Sequence, residues 1–298
     1  MSSDHMTQPL VQNKTSKNTN LRGWRITSRD LDILVAIYRF RFLTRQLIEW
    51  VFFSFAEADF DGRSSASGRR LQALHDGGYV ERLVLPMLPS AGRAPLVYAL
   101  SSRGADAVAG RLGIDRENVD WLPRHNRATA FFMEHTLAIG RLWASLAAAA
   151  PRREITIDTW MGEAELRRRD IQVYDIDANR RLPLRPDGYC ELLHPNNTVS
   201  ALFVEMDMGT ETNARVARKM RAYDSYRRRG FEEGFDYQTF DVLVVTNGRR
   251  RMENLIRVTG KEIEGRLGLF ATLDALHPGR VLAGWQDCQG RTIDLSET

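Results

Sequence analysis

The stretch FDVLVVT, residues 240–246, constrains the fold more than any other. It is a continuous apolar run without alternation, the pattern of a strand buried on both faces. Such a strand needs a packed layer on each side. Upstream, residues 127–150 read as one long apolar helix. Three strands follow, in EITIDTWMGEAELR, RLPLRPDGYCELL and VSALFVEMDM, with HPNNT as the turn between the last two. NARVARKMRAYDSYRRR is amphipathic, with Val216, Met220 and Tyr223 on one side. After the run, Asn247-Gly248 turns the chain into RRRMENLIRVTGKEIEGRL, again helical. The order helix, three strands, helix, strand, helix predicts an α/β sandwich around a mixed sheet over residues 127–298.

The third of these strands carries the chemistry. Side chains alternate across a strand. Leu202, Val204, Met206 and Met208 share one face; Ala201, Phe203, Glu205 and Asp207 share the other. That second face is apolar in its first half and then switches to carboxylates. Asp187 lies on the preceding strand, where the turn can fold it back beside Glu205, and Glu163 lies on the first strand or its turn. Convergent carboxylates repel one another unless a cation sits among them, and all-oxygen ligation suits magnesium, manganese or calcium better than zinc. The competing expectation is that the acids pair with arginines, of which Arg181, Arg185, Arg215 and Arg218 are near in sequence.

The first part of the chain has a different pattern. Residues 1–22 are polar and are expected to form a disordered tail. From Thr27, TSRDLDILVAIYRFRFLTRQLIEWVF reads as two helices, capped by Thr27 or Ser28 and by Thr44. SSASGRRLQALHDGGYV reads as a third, ended by Gly77-Gly78. Strands YVERLVL and LVYAL flank the tip PMLPSAGRAP, and SSRGADAVAGRLG adds another helix. Three helices and a hairpin give the order of a winged helix-turn-helix over residues 23–112, with 113–126 as linker. The third helix would be the recognition helix. Ser64, Ser65, Ser67, Arg69 and Arg70 at its start suit phosphates and base edges in a major groove, and Arg93 sits at the wing tip. Charge agrees: residues 1–125 hold 17 Lys and Arg against 13 Asp and Glu, whereas 126–298 hold 25 of each. The same fold can also serve protein contacts.

Other classes lack support. No long uncharged apolar run predicts a membrane span, and no apolar signal-peptide core opens the chain. Two cysteines, Cys190 and Cys288, make neither a disulfide framework nor a zinc site, so a reduced, cytoplasmic protein is expected. No Walker loop, Gly-x-Ser-x-Gly elbow or His-based metal motif is present, and no organic cofactor is expected.

The segments TSRDLDILVAIYRFRFLTRQLIEWVF, GRRLQALHDGGYVERL, LVYALSSRGADAV, EHTLAIGRL, RPDGYCEL, FVEMDMGTE and MRAYDSYRR, in that order, resemble the replication-relaxation family. Those are bacterial proteins associated with plasmids and other mobile elements. The resemblance implies a DNA-binding protein acting in replication, copy-number control or transfer on double-stranded DNA, with a homodimer left open. The second part also resembles the PD-(D/E)XK nuclease core. That likeness puts Asp187 and Glu205 at metal-ligand positions for magnesium or manganese. The pattern asks for a lysine two residues after the glutamate, where this chain has Asp207. Lys219 on the next helix is the candidate to replace it. The alternatives are thus a metal-dependent nuclease or nickase, with Asp187, Glu205, Asp207 and Lys219 as its catalytic set, or a protein-interaction scaffold.

Overall fold

A computed structural model describes residues 25–54, 60–85, 95–175, 179–229, 231–263 and 265–297. The expected tail and Arg93 lie outside these residues. The chain is a mixed α+β protein that divides into two compact units, Met1–Gly140 and Arg141–Thr298. No helix among the described residues is long and apolar enough to cross a membrane.

The first unit runs α1 (Ser28–Phe40), β1 (Leu43–Thr44), α2 (Arg45–Phe52), α3 (Ser65–Asp76), β2 (Val80–Val84), β3 (Leu96–Leu100) and α4 (Ser102–Leu112). Its small sheet has the order β1-β3-β2, antiparallel throughout. Each helix starts on a hydroxyl cap, from Thr27, Thr44, Ser64 and Ser101 in turn. These side chains satisfy backbone N–H groups that have no partner inside the helix. Apolar residues at helical spacing close the core: Ile33, Leu34 and Ile37 from α1, Leu47 and Ile48 from α2, Leu71 and Leu74 from α3. Gly78 ends α3 at φ +71°, the left-handed conformation that glycine adopts without strain. Gly104 is needed for another reason, since a Cβ there would lie 2.1 Å from the Tyr79 carbonyl oxygen.

Residues 113–126 fall within this unit. They contain two short 3-10 turns and bury Val119 and Trp121. Asn126 pins them by donating to the Leu100 carbonyl at 2.7 Å and to Glu81 at 2.9 Å. The division between units falls inside α5 (Ala130–Ala149), whose first turns pack Met133 and Leu137 against Phe42, Leu83 and Val97.

The second unit continues with β4 (Thr156–Gly162), α6 (Glu163–Arg168), β5 (Gln172–Asp175), β6 (Arg180–Pro183), β7 (Gly188–Leu193), β8 (Val199–Asp207), α7 (Asn213–Arg229), α8 (Phe231–Gly234), β9 (Asp241–Thr246), α9 (Arg249–Thr259), β10 (Gly268–Thr272), β11 (Trp285–Gln286) and β12 (Thr292–Ile293). Seven strands form one mixed sheet, ordered β12-β11-β10-β9-β8-β7-β4. The apolar run is β9, at its centre, parallel to β8 on one side and β10 on the other. Val242, Val244, Ala201 and Phe203 join Val216, Met220, Tyr223, Met252 and Leu255 of α7 and α9 in one core cluster. Leu202, Val204, Leu243 and Val245 alternate with them and are also buried.

Two expectations change. RLPLRPDGYCELL is two strands: β6 pairs with β5 in a separate hairpin, and only β7 enters the main sheet. Pro183 and Pro186 lack the N–H donors a continuous strand would use. The last helix stops at Thr259, short of the 249–267 span expected, and β10 to β12, which the sequence reading did not assign, complete the sheet.

Candidate functional site

On α3, helical geometry separates the five candidate residues. Ser64 is the N-cap, accepting from the Ser67 backbone N–H at 3.3 Å. Ser67 is fully buried; its hydroxyl donates to Glu49 and lies 3.2 Å from Arg45 Nε, itself 2.7 Å from Glu49. A second Arg45 nitrogen donates to the Ser64 carbonyl at 2.7 Å. This network ties α2 to the start of α3. Arg70 is equally committed: its Nε donates to Asp30 at 2.6 Å, a second nitrogen holds the other Asp30 oxygen, and Asp30 is fully buried. Ser67 is thus buried against α2, and Arg70, part-exposed, is tied up by its pair with Asp30. Ser65 and Arg69 are exposed, and Arg69 has no ion-pair partner among the described residues. The sequence reading missed Arg45 and Glu49, although their i,i+4 spacing in α2 was a signal.

In the second unit the strand alternation holds, and Glu205 and Asp207 both point to the α7/α9 side. Glu205 is buried between Lys219, which donates to Oε2, and the Tyr223 hydroxyl, which donates to Oε1, both from α7. Asp187 stands just ahead of β7, its backbone N–H on the Val204 carbonyl at 3.0 Å. Its carboxylate accepts the Met206 backbone N–H at 2.7 Å, which places it along β8 beside Glu205. Burial pushes the Glu205 carboxyl up to about 7; Lys219 draws it down and the Asp187 charge adds to the rise. Burial works against the Lys219 ammonium, but Glu205 and Asp187 together hold it above its ordinary value. Burial, then Glu205, drives the Tyr223 hydroxyl well above its ordinary value, so it remains a donor.

Asp207 goes elsewhere. Arg251 of α9 grips it with Nε at 2.6 Å and a second nitrogen at 3.3 Å, and also donates to the Glu211 carbonyl at 2.6 Å. Glu163 is exposed at the start of α6 and pairs with Arg167 at 2.5 Å. Among the described residues no group of three or more His, Cys, Asp or Glu is placed to hold a metal ion. The site thus brings together Asp187, Glu205 and Lys219, with Asp207 turned to a different cation. None of the four arginines considered from sequence is the partner of Glu205 or Asp207; Arg215, for one, pairs with Glu211. Tyr223 and Arg251 were missed: the first was assigned to the apolar side of its helix, the second hidden in a run of three arginines.

No curated protein matches this chain, and no solved structure does. A family model described as replication-relaxation matches residues 34–243, from within α1 into the first half of β9, so the match takes in α3 and the Asp187, Glu205 and Lys219 site alike. With that match extending over well more than half of its length, the chain belongs to the replication-relaxation family.

Proposed function

We propose that this protein binds DNA of a plasmid or other mobile element and acts in its replication, copy-number control or transfer. Family membership points to that setting. The first unit is read as a winged helix-turn-helix, with α3 as recognition helix. The observation that carries this reading is the division of labour on α3. Its inner side is clamped by Arg45–Glu49–Ser67 and by Arg70–Asp30, while Ser65 and Arg69 stay exposed next to its N-terminus. A rigid helix presenting a guanidinium and a hydroxyl suits a phosphate or a guanine edge. Arg69→Ala is expected to weaken duplex binding in gel-shift titrations by about 5- to 150-fold if it reads a base, and less if it meets a phosphate. Wild-type binding should fall steeply with salt. Full-strength binding by Arg69→Ala would end the assignment of α3.

A second reading, a metal-dependent nuclease or nickase, is favoured by one observation: Lys219 reaches Glu205 from α7, beside Asp187. Two carboxylates suffice for magnesium or manganese when substrate phosphates complete the shell. A bound ion there would polarise a phosphodiester and activate water. Asp187 and Glu205 would hold it, and Lys219 would be released from its ion pair to face the phosphate. Incubation of supercoiled plasmid with manganese then yields nicked or linear forms, and Glu205→Ala abolishes them. Plasmid that stays supercoiled leaves binding as the whole function.

A further inference from the structure

A cleft of about 580 Å³ opens in the second unit between the β5–β6 hairpin and the helices α7 and α8. That volume is in the range of built ligand sites. Tyr226 and Phe235, both members of the core cluster, form part of its lining, so that side is rigid. Arg169 lies along the wall, its guanidinium 4.7 Å from the Phe235 ring centroid and fixed to the Gly234 carbonyl at 2.7 Å. On the hairpin, Tyr174 and Arg181 are directly opposite across the strands, so their side chains share a face. Tyr174 is 43% exposed and its hydroxyl is anchored to Asn179. Arg181 is exposed and has no ion-pair partner among the described residues. Gln172, Ser225 and Asp170 add polar groups to the lining, with the Gln172 amide donating to Asp170 at 2.7 Å.

We propose that this cleft holds a nucleotide unit of single-stranded DNA, the base stacked on Tyr174 and the phosphate met by Arg181. An anchored, solvent-facing ring offers a stacking surface to any base, and a neighbouring guanidinium tracks the backbone. A duplex keeps its bases stacked on one another and has none to offer this ring. The inference does not use α3, nor does it use Asp187, Glu205 or Lys219; it adds a second nucleic-acid contact on another part of the chain.

The test uses the full chain and a fluorescein-labelled oligothymidylate, read by anisotropy. Tyr174→Ala is expected to weaken its binding by about 5- to 150-fold, the range for a lost stacking contact, and Arg181→Ala by a smaller factor, as for a lost phosphate contact. Tyr174→Phe keeps the ring and should retain binding. Both alanine variants should bind a duplex as wild type does, whereas Arg69→Ala should lose the duplex and keep the oligothymidylate. That pattern separates the two sites, so failure of one leaves the other standing. Wild-type affinity for oligothymidylate in both alanine variants, or no binding by the unaltered protein, would overturn the proposal. Equal competition by thymidine monophosphate would also overturn it, by assigning the cleft to a free nucleotide.

Discussion

Arg70→Ala is expected to destabilise the first unit by about 3 kcal/mol, seen as a lower midpoint in urea or thermal melts. The cause is what the substitution leaves behind. Asp30 is fully buried at the start of α1, and Arg70 supplies two hydrogen bonds to its carboxylate. Removing one partner of a buried pair strands the other charge, which typically costs about 3–5 kcal/mol. The low end applies here, because the Thr27 backbone N–H and hydroxyl still donate to Asp30, at 2.6 and 2.7 Å. Arg70 also donates to the Arg25 carbonyl at 2.8 Å, so α3, α1 and the chain entering α1 loosen together. Arg69→Ala, one residue away, should leave the melt within about 0.5 kcal/mol of wild type, as exposed substitutions usually do. The two neighbours then part cleanly: one change lowers stability, the other lowers affinity. An unchanged melt for Arg70→Ala would return Arg70 to the surface that faces DNA.

This pair also marks how far the sequence can be read. Helix periodicity placed Leu71 and Leu74 inward, and both are fully buried. It says that adjacent residues point about 100° apart. It does not say that the partner of Arg70 is an acid 40 positions earlier, one that local spacing marks only as a first-turn residue of α1. Ser67 was hidden in the same way, since its acid, Glu49, lies 18 positions away on another helix. In the second unit, β9 was legible as an unbroken apolar run, and β8 by the alternation that puts Glu205 and Asp207 on one face. The partners of the two acids were not. Glu205 and Asp207 share a face, yet one meets α7 and the other α9, and that choice depends on how two helices pack across the strand ends. The sheet's far edge was missed because β11 and β12 have two residues each, too short for any period to show. GLFAT, the β10 sequence, was a readable apolar run.

The buried acid leads to an effect that depends on pH. Lys219→Met is expected to cost about 3–5 kcal/mol near pH 8, and about 1 kcal/mol or less near pH 5. In the wild type, burial holds the Glu205 carboxyl at about 7, above its ordinary 4.5. A carboxyl raised on folding binds its proton more tightly in the folded chain. Its contribution to stability is complete below the unfolded value and is lost as pH rises through the folded one. For Glu205 that window runs from 4.5 to about 7. The raised ammonium of Lys219 contributes below its ordinary 10.5 and is lost only above its folded value, so it is constant across the same window. Methionine removes the cation that draws Glu205 down, while burial and Asp187 still push it up. Glu205 therefore moves higher, and the loss with rising pH becomes deeper and extends further. At low pH the carboxyl is protonated, Tyr223 remains beside it, and the methionine fills much of the space of the lysine stem. Adding Glu205→Gln to Lys219→Met should flatten the pH dependence, because the amide cannot ionise and can still accept from Tyr223. Urea melts of the wild type, the single variant and the double variant across this pH range measure the coupling directly. A loss in Lys219→Met of equal size at both ends of the range would mean that Glu205 does not titrate there, and that the ion pair is not what positions α7 on β8.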